Sequence, residues 1–321
     1  MELPPRLRQA VESALEGVPL SELAAAAEAL SQRYRNEVRD GRLHLNNEHS
    51  ALAYLATRMP ATYAAIHASL SAIAEALPGF APSTTLDVGA GPGTALWAAH
   101  AVWSGLEEAE LIETSPSIRA WGEKLSASSG VPRISWRAAD LRSDLGGKSR
   151  DLVTLAYVLD ELASAERGDL VDRLWRLASG VLLIVEPGTP KGWERILAAR
   201  TRLIAAGASI VAPCPHAAAC PLVAPDWCHF SARVARSRIH RLAKNAEVPW
   251  EDEKYIYLAA SRMPAAAHAA RIIAPPEPGS GRVRLKLCNP DGPATHRLVT
   301  RREGDTFKRA RRSDWGDRFE G

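Results

Sequence analysis

The feature that most constrains the fold is a regular alternation of short apolar runs with helical stretches from residue 82 onward. Turn residues bound each apolar run, and the runs occupy residues 85–88, 109–113, 133–136, 151–155 and 181–186. This alternation is typical of βαβ units, in which parallel strands form one sheet with helices on both faces. The sequence therefore predicts an α/β fold with a doubly wound, Rossmann-like sheet.

The segment before residue 82 has a different pattern. Residues 12–30 are rich in Ala, Leu and Glu, and residues 50–77 carry apolar side chains at helical spacing. Ser50 is predicted to cap a helix, and Pro60 to end or kink it. The sequence thus predicts an N-terminal helical region (1–81), a Rossmann-like core (82–207) and a C-terminal part. That last part (208–321) is expected to hold a cysteine-rich metal-binding insertion, the last sheet strands and a basic tail.

A glycine-rich loop follows the first predicted strand, with Asp87 ahead of Gly89, Gly91 and Gly93. Glycines permit a sharp turn there and let a ligand approach the backbone where a Cβ would clash. The next strand ends in Glu113, where a ribose-binding carboxylate is expected. The loop therefore predicts a nucleoside-containing cofactor. Dinucleotide oxidoreductases are the alternative, although they favour Gly-x-Gly-x-x-Gly over the Gly-x-Gly-x-Gly found here.

The chain has four cysteines, and all lie in its C-terminal half: Cys214, Cys220, Cys228 and Cys288. Four thiolates suit either tetrahedral zinc or an iron–sulfur cluster. Inert buried thiols and a disulfide are the other interpretations. The first residues do not resemble a signal peptide, so we expect a reducing compartment in which thiols stay available to metal.

Two histidines leave the ligand set open. His216 and His229 flank the first three cysteines, so a Cys₃His zinc site is one possibility, and histidines that only orient the ligands are another. An all-thiol site requires Cys288 to return from far along the chain. We expect this return if residues 254–259 and 282–287 pair as neighbouring strands at the edge of the sheet.

The positive charge is concentrated in two runs, although the formal net charge is only +3. The first run contains Arg233, Arg236, Arg238, Arg241 and Lys244. The second contains Arg297, Arg301, Arg302, Lys308, Arg309, Arg311, Arg312 and Arg318. Two basic runs in the half that holds the cysteines predict a polyanionic partner. No apolar run approaches membrane-spanning length, so no membrane partner is expected.

The glycine loop and its surroundings resemble the class I S-adenosylmethionine-dependent methyltransferases. The chain as a whole resembles the ribosomal small-subunit methyltransferase-like family of bacteria and mitochondria. This resemblance covers most of the chain and rests on the run at 53–63, the glycine loop, the Glu-Pro-Gly-Thr-Pro segment at 186–190, the cysteine segments and the tail at 313–317.

The resemblance implies S-adenosylmethionine at the glycine loop, a [4Fe-4S] cluster on the four cysteines and contact with small-subunit rRNA. It places Asp140 near the adenine. The implied cofactor site comprises Asp87, Gly89, Gly91, Gly93, Glu113, Asp140 and Tyr157. We expect a protein that is monomeric outside the ribosome. Its opening residues are acidic, unlike a mitochondrial transit peptide, which predicts a bacterial, cytoplasmic member.

The catalytic residues are not identified by the sequence. The segment after the fourth strand lacks the polar-Pro-Pro-aromatic turn of amino-group methylation, and metal binding would occupy every thiol nucleophile. Tyr157, Asp160, Glu161 and Glu186 are candidates, but acids at strand ends more often cap helices. Two functions remain, a barely enzymatic assembly factor of the small subunit or an active rRNA methyltransferase. A small-molecule methyltransferase with structural zinc would leave the basic runs unexplained.

Overall fold

The computed structural model describes residues 1–36, 44–143, 145–264 and 269–321. Four helices precede the first strand: α1 (Pro5–Ala14), α2 (Leu20–Arg35), α3 (Glu48–Thr57) and α4 (Met59–Ala76). The cap of α3 is Asn47, which accepts a hydrogen bond from the Ser50 N–H at 2.9 Å. The predicted cap, Ser50, therefore lies three residues after the observed one. Pro60 lies in the first turn of α4, where its missing N–H leaves no bond unmade.

Eight strands form the main sheet. They are β1 (Thr84–Val88), β2 (Glu108–Ile112), β3 (Arg133–Arg137), β4 (Arg150–Ala156), β5 (Ala178–Pro187), β6 (Ser209–Ala212), β7 (Phe230–Ala235) and β8 (Trp250–Ser261). Their order is β3-β2-β1-β4-β5-β8-β6, and β7 pairs with β8. The first five strands run parallel, whereas β8 is antiparallel to β5, β6 and β7. The predicted doubly wound sheet is confirmed.

Five helices accompany this sheet: α5 (Thr94–Val102), α6 (Pro116–Ser126), α7 (Ser164–Leu177), α8 (Pro190–Ala205) and α9 (Arg238–Ala243). The central strand β5 explains why the sheet is covered on both faces. Its residues from Val181 to Val185 are all apolar and almost fully buried. A continuous apolar run of this kind is typical of a parallel strand with helices on both sides. In the described ranges, no helix is long and apolar enough to cross a membrane.

A second, smaller sheet follows the first. It contains β9 (Ala270–Ile272), β10 (Glu277–Gly279), β11 (Arg282–Cys288), β12 (Ala294–Thr300) and β13 (Arg318–Phe319). A 3₁₀ turn (Arg301–Glu303) and α10 (Asp305–Arg312) lie between the last two strands. This sheet has a hydrophobic core of its own, to which α10 contributes Phe307 and Ala310.

The predicted pairing of residues 254–259 with 282–287 is wrong. Strand β8 pairs with β5 and β6, whereas β11 pairs with β9, β10 and β12. The burial patterns give the reason. The last seven residues of β8 are all buried, which suits the interior of the large sheet, whereas buried and more exposed residues alternate along most of β11. Alternation is typical of an antiparallel sheet with one solvated face.

Candidate cofactor pocket and thiol cavity

The loop between β1 and α5 needs its glycines for conformation as well as for space. Gly89 and Gly91 have φ angles of +69° and +53°, in the left-handed region that side chains disfavour. A Cβ on Gly89 would lie 2.5 Å from Cγ2 of Val158, whereas a Cβ on Gly91 would meet no atom within 4 Å. Gly91 therefore presents bare backbone to open space, as a loop that receives a ligand requires.

Glu113 follows β2 and holds the glycine loop in place. Its carboxylate accepts hydrogen bonds from the N–H of Gly91 at 2.9 Å and from the N–H of Ser115 at 2.7 Å. Burial raises the pKa of this carboxyl group, while the two backbone hydrogen bonds lower it. Each oxygen retains a further lone pair, so the carboxylate can accept hydrogen bonds from ligand hydroxyls as well.

A pocket of about 570 Å³ opens beside this loop. Five of the predicted cofactor residues line it: Gly89, Gly91, Glu113, Asp140 and Tyr157. The other two, Asp87 and Gly93, lie outside its lining. A Cβ on Gly93 would contact Leu111 and Trp136 at 3.4 Å, so this glycine faces the protein interior. We call this space the cofactor pocket.

Asp87 is a buried acid at the end of β1. Its side chain is 3% exposed, and its Oδ1 accepts a hydrogen bond from the Thr154 hydroxyl at 2.6 Å. Its Oδ2 has no hydrogen-bond partner among the described residues. Burial raises the pKa of Asp87 to about 7, with a smaller contribution from the charge of Glu113. The group is therefore poised to lose its proton when a cation comes near.

The N-terminal helices supply part of the cofactor pocket, which the sequence did not reveal. Tyr34 of α2, Tyr54 of α3 and Thr62 of α4 line the pocket, together with Arg58 between α3 and α4. Arg58 forms an ion pair of 3.3 Å with Glu253 of β8. The available sequence signal was the family-like run at 53–63, which holds Tyr54, Arg58 and Tyr63.

Tyr157 directly follows β4 in a strained conformation. Its φ of +60° is uncommon for a bulky residue, and such strain clusters at functional sites. Its hydroxyl donates a hydrogen bond to Glu253 at 3.1 Å. Glu186, another candidate, is fully buried and accepts hydrogen bonds from Arg195 and from the N–H of Leu159. Glu186 therefore stabilises the core and does not line the cofactor pocket.

The four cysteines meet around a second cavity, which we call the thiol cavity. Cys214, Cys220 and Cys228 lie in the segment between β6 and β7, and Cys288 ends β11. All four line one space of about 30 Å³. Burial raises the pKa of Cys214, Cys228 and Cys288, and the neighbouring thiols raise each of them further. The fold therefore brings thiols of the segment between β6 and β7 to one cavity with a thiol of the small sheet.

The two histidines differ in their relation to this cavity. His216 lines it, and its Nε2 lies 3.4 Å from the sulfur of Cys288. The ring of His229 instead stacks on Trp227 at 5.1 Å and meets the edge of Trp315 at 4.7 Å. Within the described ranges, no three His, Cys, Asp or Glu side chains converge as they would around a single metal ion.

Acids on β8 neutralise most of the first basic run. Arg233 pairs with Asp252 at 2.8 Å, while Arg236 and Lys244 share Glu251 at 3.0 and 2.8 Å. The run does not form one helix either, because Arg233 lies on β7 and α9 begins only at Arg238. Arg238 and Arg241 form no ion pair with any described residue.

The second basic run is more open. Lys308 pairs with Asp305 and Arg297 with Glu303. Five arginines on the 3₁₀ turn and α10 have no ion pair in the described part of the chain: Arg301, Arg302, Arg309, Arg311 and Arg312. Phe307 and Ala310 pack α10 against the small sheet, and the side chains of these arginines are exposed.

The strand order, the antiparallel β8 and the glycine loop together define a class I methyltransferase fold. Within that class the chain belongs to the Rsm22 family, described as "Mitochondrial small ribosomal subunit Rsm22", whose model matches residues 48–320.

Two relatives show how far the similarity extends. The human mitochondrial ribosome assembly protein METTL17 is 32% identical over 286 residues, covering 83% of this chain and 62% of the relative. The mitochondrial Rsm22-cox11 tandem protein 2 of Schizosaccharomyces pombe is 26% identical over 321 residues, covering 84% of this chain and 43% of the relative. The chain therefore spans less than two thirds of each relative.

Among solved structures, an O-methyltransferase family protein from Burkholderia thailandensis is similar to 77% of this chain, with 72% of its own chain covered. The TM-score is 0.46 and the identity 14%.

The family and both relatives are described as mitochondrial. The expectation of a bacterial, cytoplasmic protein is therefore wrong. It rested on the acidity of the first few residues, which carry none of the similarity that places the chain in this family.

Proposed function

We propose that this protein takes part in the assembly of the mitochondrial small ribosomal subunit, as a protein that binds S-adenosylmethionine, a metal–sulfur group and rRNA. The observation that carries the proposal is the thiol cavity. Cysteines from the segment between β6 and β7 and from the small sheet line this cavity together, and α10, which packs on the small sheet, carries arginines without ion pairs among the described residues. A metal group would join the cofactor-binding core to this basic surface.

The donor set of the thiol cavity fits a soft-ligand metal group. Four thiols with apolar neighbours such as Trp193, Leu222 and Ile273 offer the sulfur ligands that iron–sulfur clusters and zinc prefer. We propose a [4Fe-4S] cluster on Cys214, Cys220, Cys228 and Cys288. When bound, such a group supplies a structural tie and a redox centre. Zinc is the alternative, with His216 close enough to Cys288 to replace one thiolate.

The test is anaerobic purification with iron, sulfide and zinc analysis. We expect brown protein with about four irons per chain, as four thiolate ligands imply. Cys288→Ser should abolish iron loading, whereas a Cys₃His zinc site made of the other ligands would tolerate it. Ser313→Ala is the control. Ser313 lies in the same C-terminal part of the chain, and its half-buried hydroxyl donates a hydrogen bond to the carbonyl oxygen of Arg309. Colourless protein with one zinc per chain would refute the cluster.

S-adenosylmethionine is the proposed ligand of the cofactor pocket. The support is the left-handed backbone at Gly89 and Gly91, the anchored carboxylate of Glu113 and the pocket volume of about 570 Å³. Asp140 is proposed to lie near the adenine and Asp87 near the methionine portion. A protein can bind S-adenosylmethionine without transferring its methyl group, so this site is compatible with either candidate function.

Two of the four candidate catalytic residues, Tyr157 and Glu186, are held by other side chains, and this favours the assembly factor, whereas Asp160 and Glu161 line the cofactor pocket. Tyr157 and Arg58 both bind Glu253. Glu186, the other of these two candidates, is buried in contact with Arg195. An active rRNA methyltransferase is the second candidate, favoured by the intact glycine loop. Transfer of labelled methyl groups to small-subunit rRNA distinguishes the two functions.

The rRNA surface is proposed to consist of the cations without ion pairs, in particular Arg238, Arg241, Arg311 and Arg312. We expect Arg→Gln changes at Arg238 and Arg241, or at Arg311 and Arg312, to weaken co-sedimentation with immature small subunits. Two lost phosphate contacts should lower the salt slope of binding by about 2. The same change at Arg133 and Arg176, exposed arginines elsewhere, is the control. Unaltered co-sedimentation of both double variants would refute this surface.

A further inference from the structure

Two buried arginines stand beside the four thiols. Arg200 of α8 and Arg271 of β9 both line the thiol cavity, and they are only 4% and 5% exposed. Arginine is almost never fully buried unless it is paired with an anion. The position of two such side chains at one small cavity therefore calls for an explanation.

Neither arginine has a carboxylate partner among the described residues. Arg200 donates hydrogen bonds to the carbonyl oxygens of His216 and Ala218, at 2.7 and 2.8 Å. Its Nε has no hydrogen-bond partner in the described part of the chain. Arg271 donates to the carbonyl oxygens of Pro213 and Gly316, at 3.0 and 2.8 Å.

Carbonyl oxygens fix the orientation of a guanidinium group but do not neutralise its charge. A buried ion without a counter-charge is strongly unfavourable, so an anion must lie nearby in the functional state. Among the described residues of the cavity wall, the groups that can ionise to an anion are the four cysteines and Tyr257, and the cysteines are the more acidic. Both arginine side chains line the same small cavity as the four sulfur atoms, so the thiols are the groups placed to supply the missing negative charge.

We propose that Arg200 and Arg271 are the counter-charges of a metal–thiolate group in this cavity and set both its stability and its redox potential. The inference rests on the proposed metal group. Four thiolates around a core of charge about 2+ carry a net charge of about −2, which two guanidinium groups neutralise. The same positive charges favour the addition of an electron to the group, since potential depends on net charge and surroundings.

Arg271 also links the cavity to the end of the chain. Its two hydrogen bonds join the cysteine segment, through Pro213, to the tail, through Gly316. Trp315 of that tail packs on His229, next to Cys228. Loss of Arg271 should therefore loosen the tail as well as remove a charge, and loss of Arg200 should loosen the segment at His216 and Ala218 as well as remove a charge.

The experiment compares Arg200→Met and Arg271→Met with Arg200→Lys and Arg271→Lys in the full chain, loaded anaerobically. Arg202→Met is the matched control, because Arg202 lies on the same helix but is 44% exposed and pairs with Asp172. Two quantities are measured, the rate of iron release to a chelator and the midpoint potential of the cluster. Release should be on the order of tenfold faster in the methionine variants, the usual effect of residues that support metal ligands.

Comparison of the lysine with the methionine variants separates a charge effect from a packing effect, because lysine keeps the positive charge and methionine does not. We expect a more negative midpoint potential in the methionine variants, and a potential close to wild type in the lysine variants and in Arg202→Met. Equal release rates and potentials in all variants, with wild type loaded, would refute this inference alone. If the methionine variants do not fold, Arg200→Gln and Arg271→Gln keep donors for the carbonyl oxygens and serve in their place.

The metal content of wild type distinguishes a failure of the cluster proposal from a failure of the counter-charge inference. If wild type holds zinc, the cluster proposal fails, and the counter-charge inference is tested by zinc release in the same variants. If wild type binds neither iron nor zinc, both proposals are overturned.

Discussion

Replacing Asp87 by Asn should stabilise the cofactor-free protein above pH 7. Asp87 is buried at the end of β1, and one of its oxygens has no hydrogen-bond partner among the described residues. Its pKa of about 7, against a usual value of 3.8, means that the folded protein binds a proton that the unfolded chain releases. Stability from this group is thus complete below about pH 4 and is lost as the pH rises to about 7.

The size of the effect follows from the shift. A difference of about 3 pKa units, at 1.36 kcal/mol per unit, gives a loss of at most about 4 kcal/mol between these pH values. Asn carries no charge and can still accept the hydrogen bond from Thr154. The Asp87→Asn variant should therefore lack this part of the pH dependence, and its free energy of unfolding should exceed that of wild type at pH 8.

The assay is urea unfolding of both proteins at pH 5 and pH 8. Asp151→Asn is the control with the opposite sign, because hydrogen bonds from Ser83 and Thr84 lower the pKa of Asp151 although partial burial raises it. That variant should be less stable than wild type at pH 8. An Asp87→Asn variant with the same pH dependence as wild type, or with lower stability at pH 8, would refute the reasoning.

Two further predictions concern the cofactor pocket. Glu113→Gln should weaken S-adenosylmethionine binding by about 1.5–3 kcal/mol, because hydrogen bonds to a charged acceptor are lost; equal affinities by calorimetry would remove Glu113 from the site. Gly89→Ala should lower stability by about 1–2 kcal/mol because of the left-handed backbone. The contact of the new Cβ with Val158 should lower it further, and adding Val158→Ala should recover only this contact contribution. Urea midpoints that are unchanged in Gly89→Ala would contradict this account.

The sequence predicted the main sheet well because periodicity reports burial directly. All five predicted runs are strands of that sheet, since an apolar run between turn residues has few alternatives inside a covered sheet. The pairing of the C-terminal strands was not predictable in the same way. An apolar pattern identifies a strand but not the strand with which it pairs. Beside β8 lies β6, a strand of only four residues that the sequence pattern did not reveal.

The candidate sites were predictable only in part. Gly89, Gly91 and Glu113 follow from a local loop and therefore appear in the sequence. Arg58 and Glu253 meet across 195 positions, so no local pattern reveals their ion pair. The neutralisation of Arg233, Arg236 and Lys244 could not be predicted for a similar reason, because the acids that pair with them lie on the next strand.

The position of Cys288 has a consequence for the timing of chain synthesis. Its strand belongs to a sheet that β13 completes near residue 319, and Arg271 reaches the cavity with a hydrogen bond to Gly316. The thiol cavity thus depends on nearly the whole C-terminal half of the chain. A nascent chain that has produced three of the cysteines still cannot close it. Insertion of the proposed metal group is therefore expected only after translation has passed β13, so that a filled cavity would mark a chain synthesised at least to that strand.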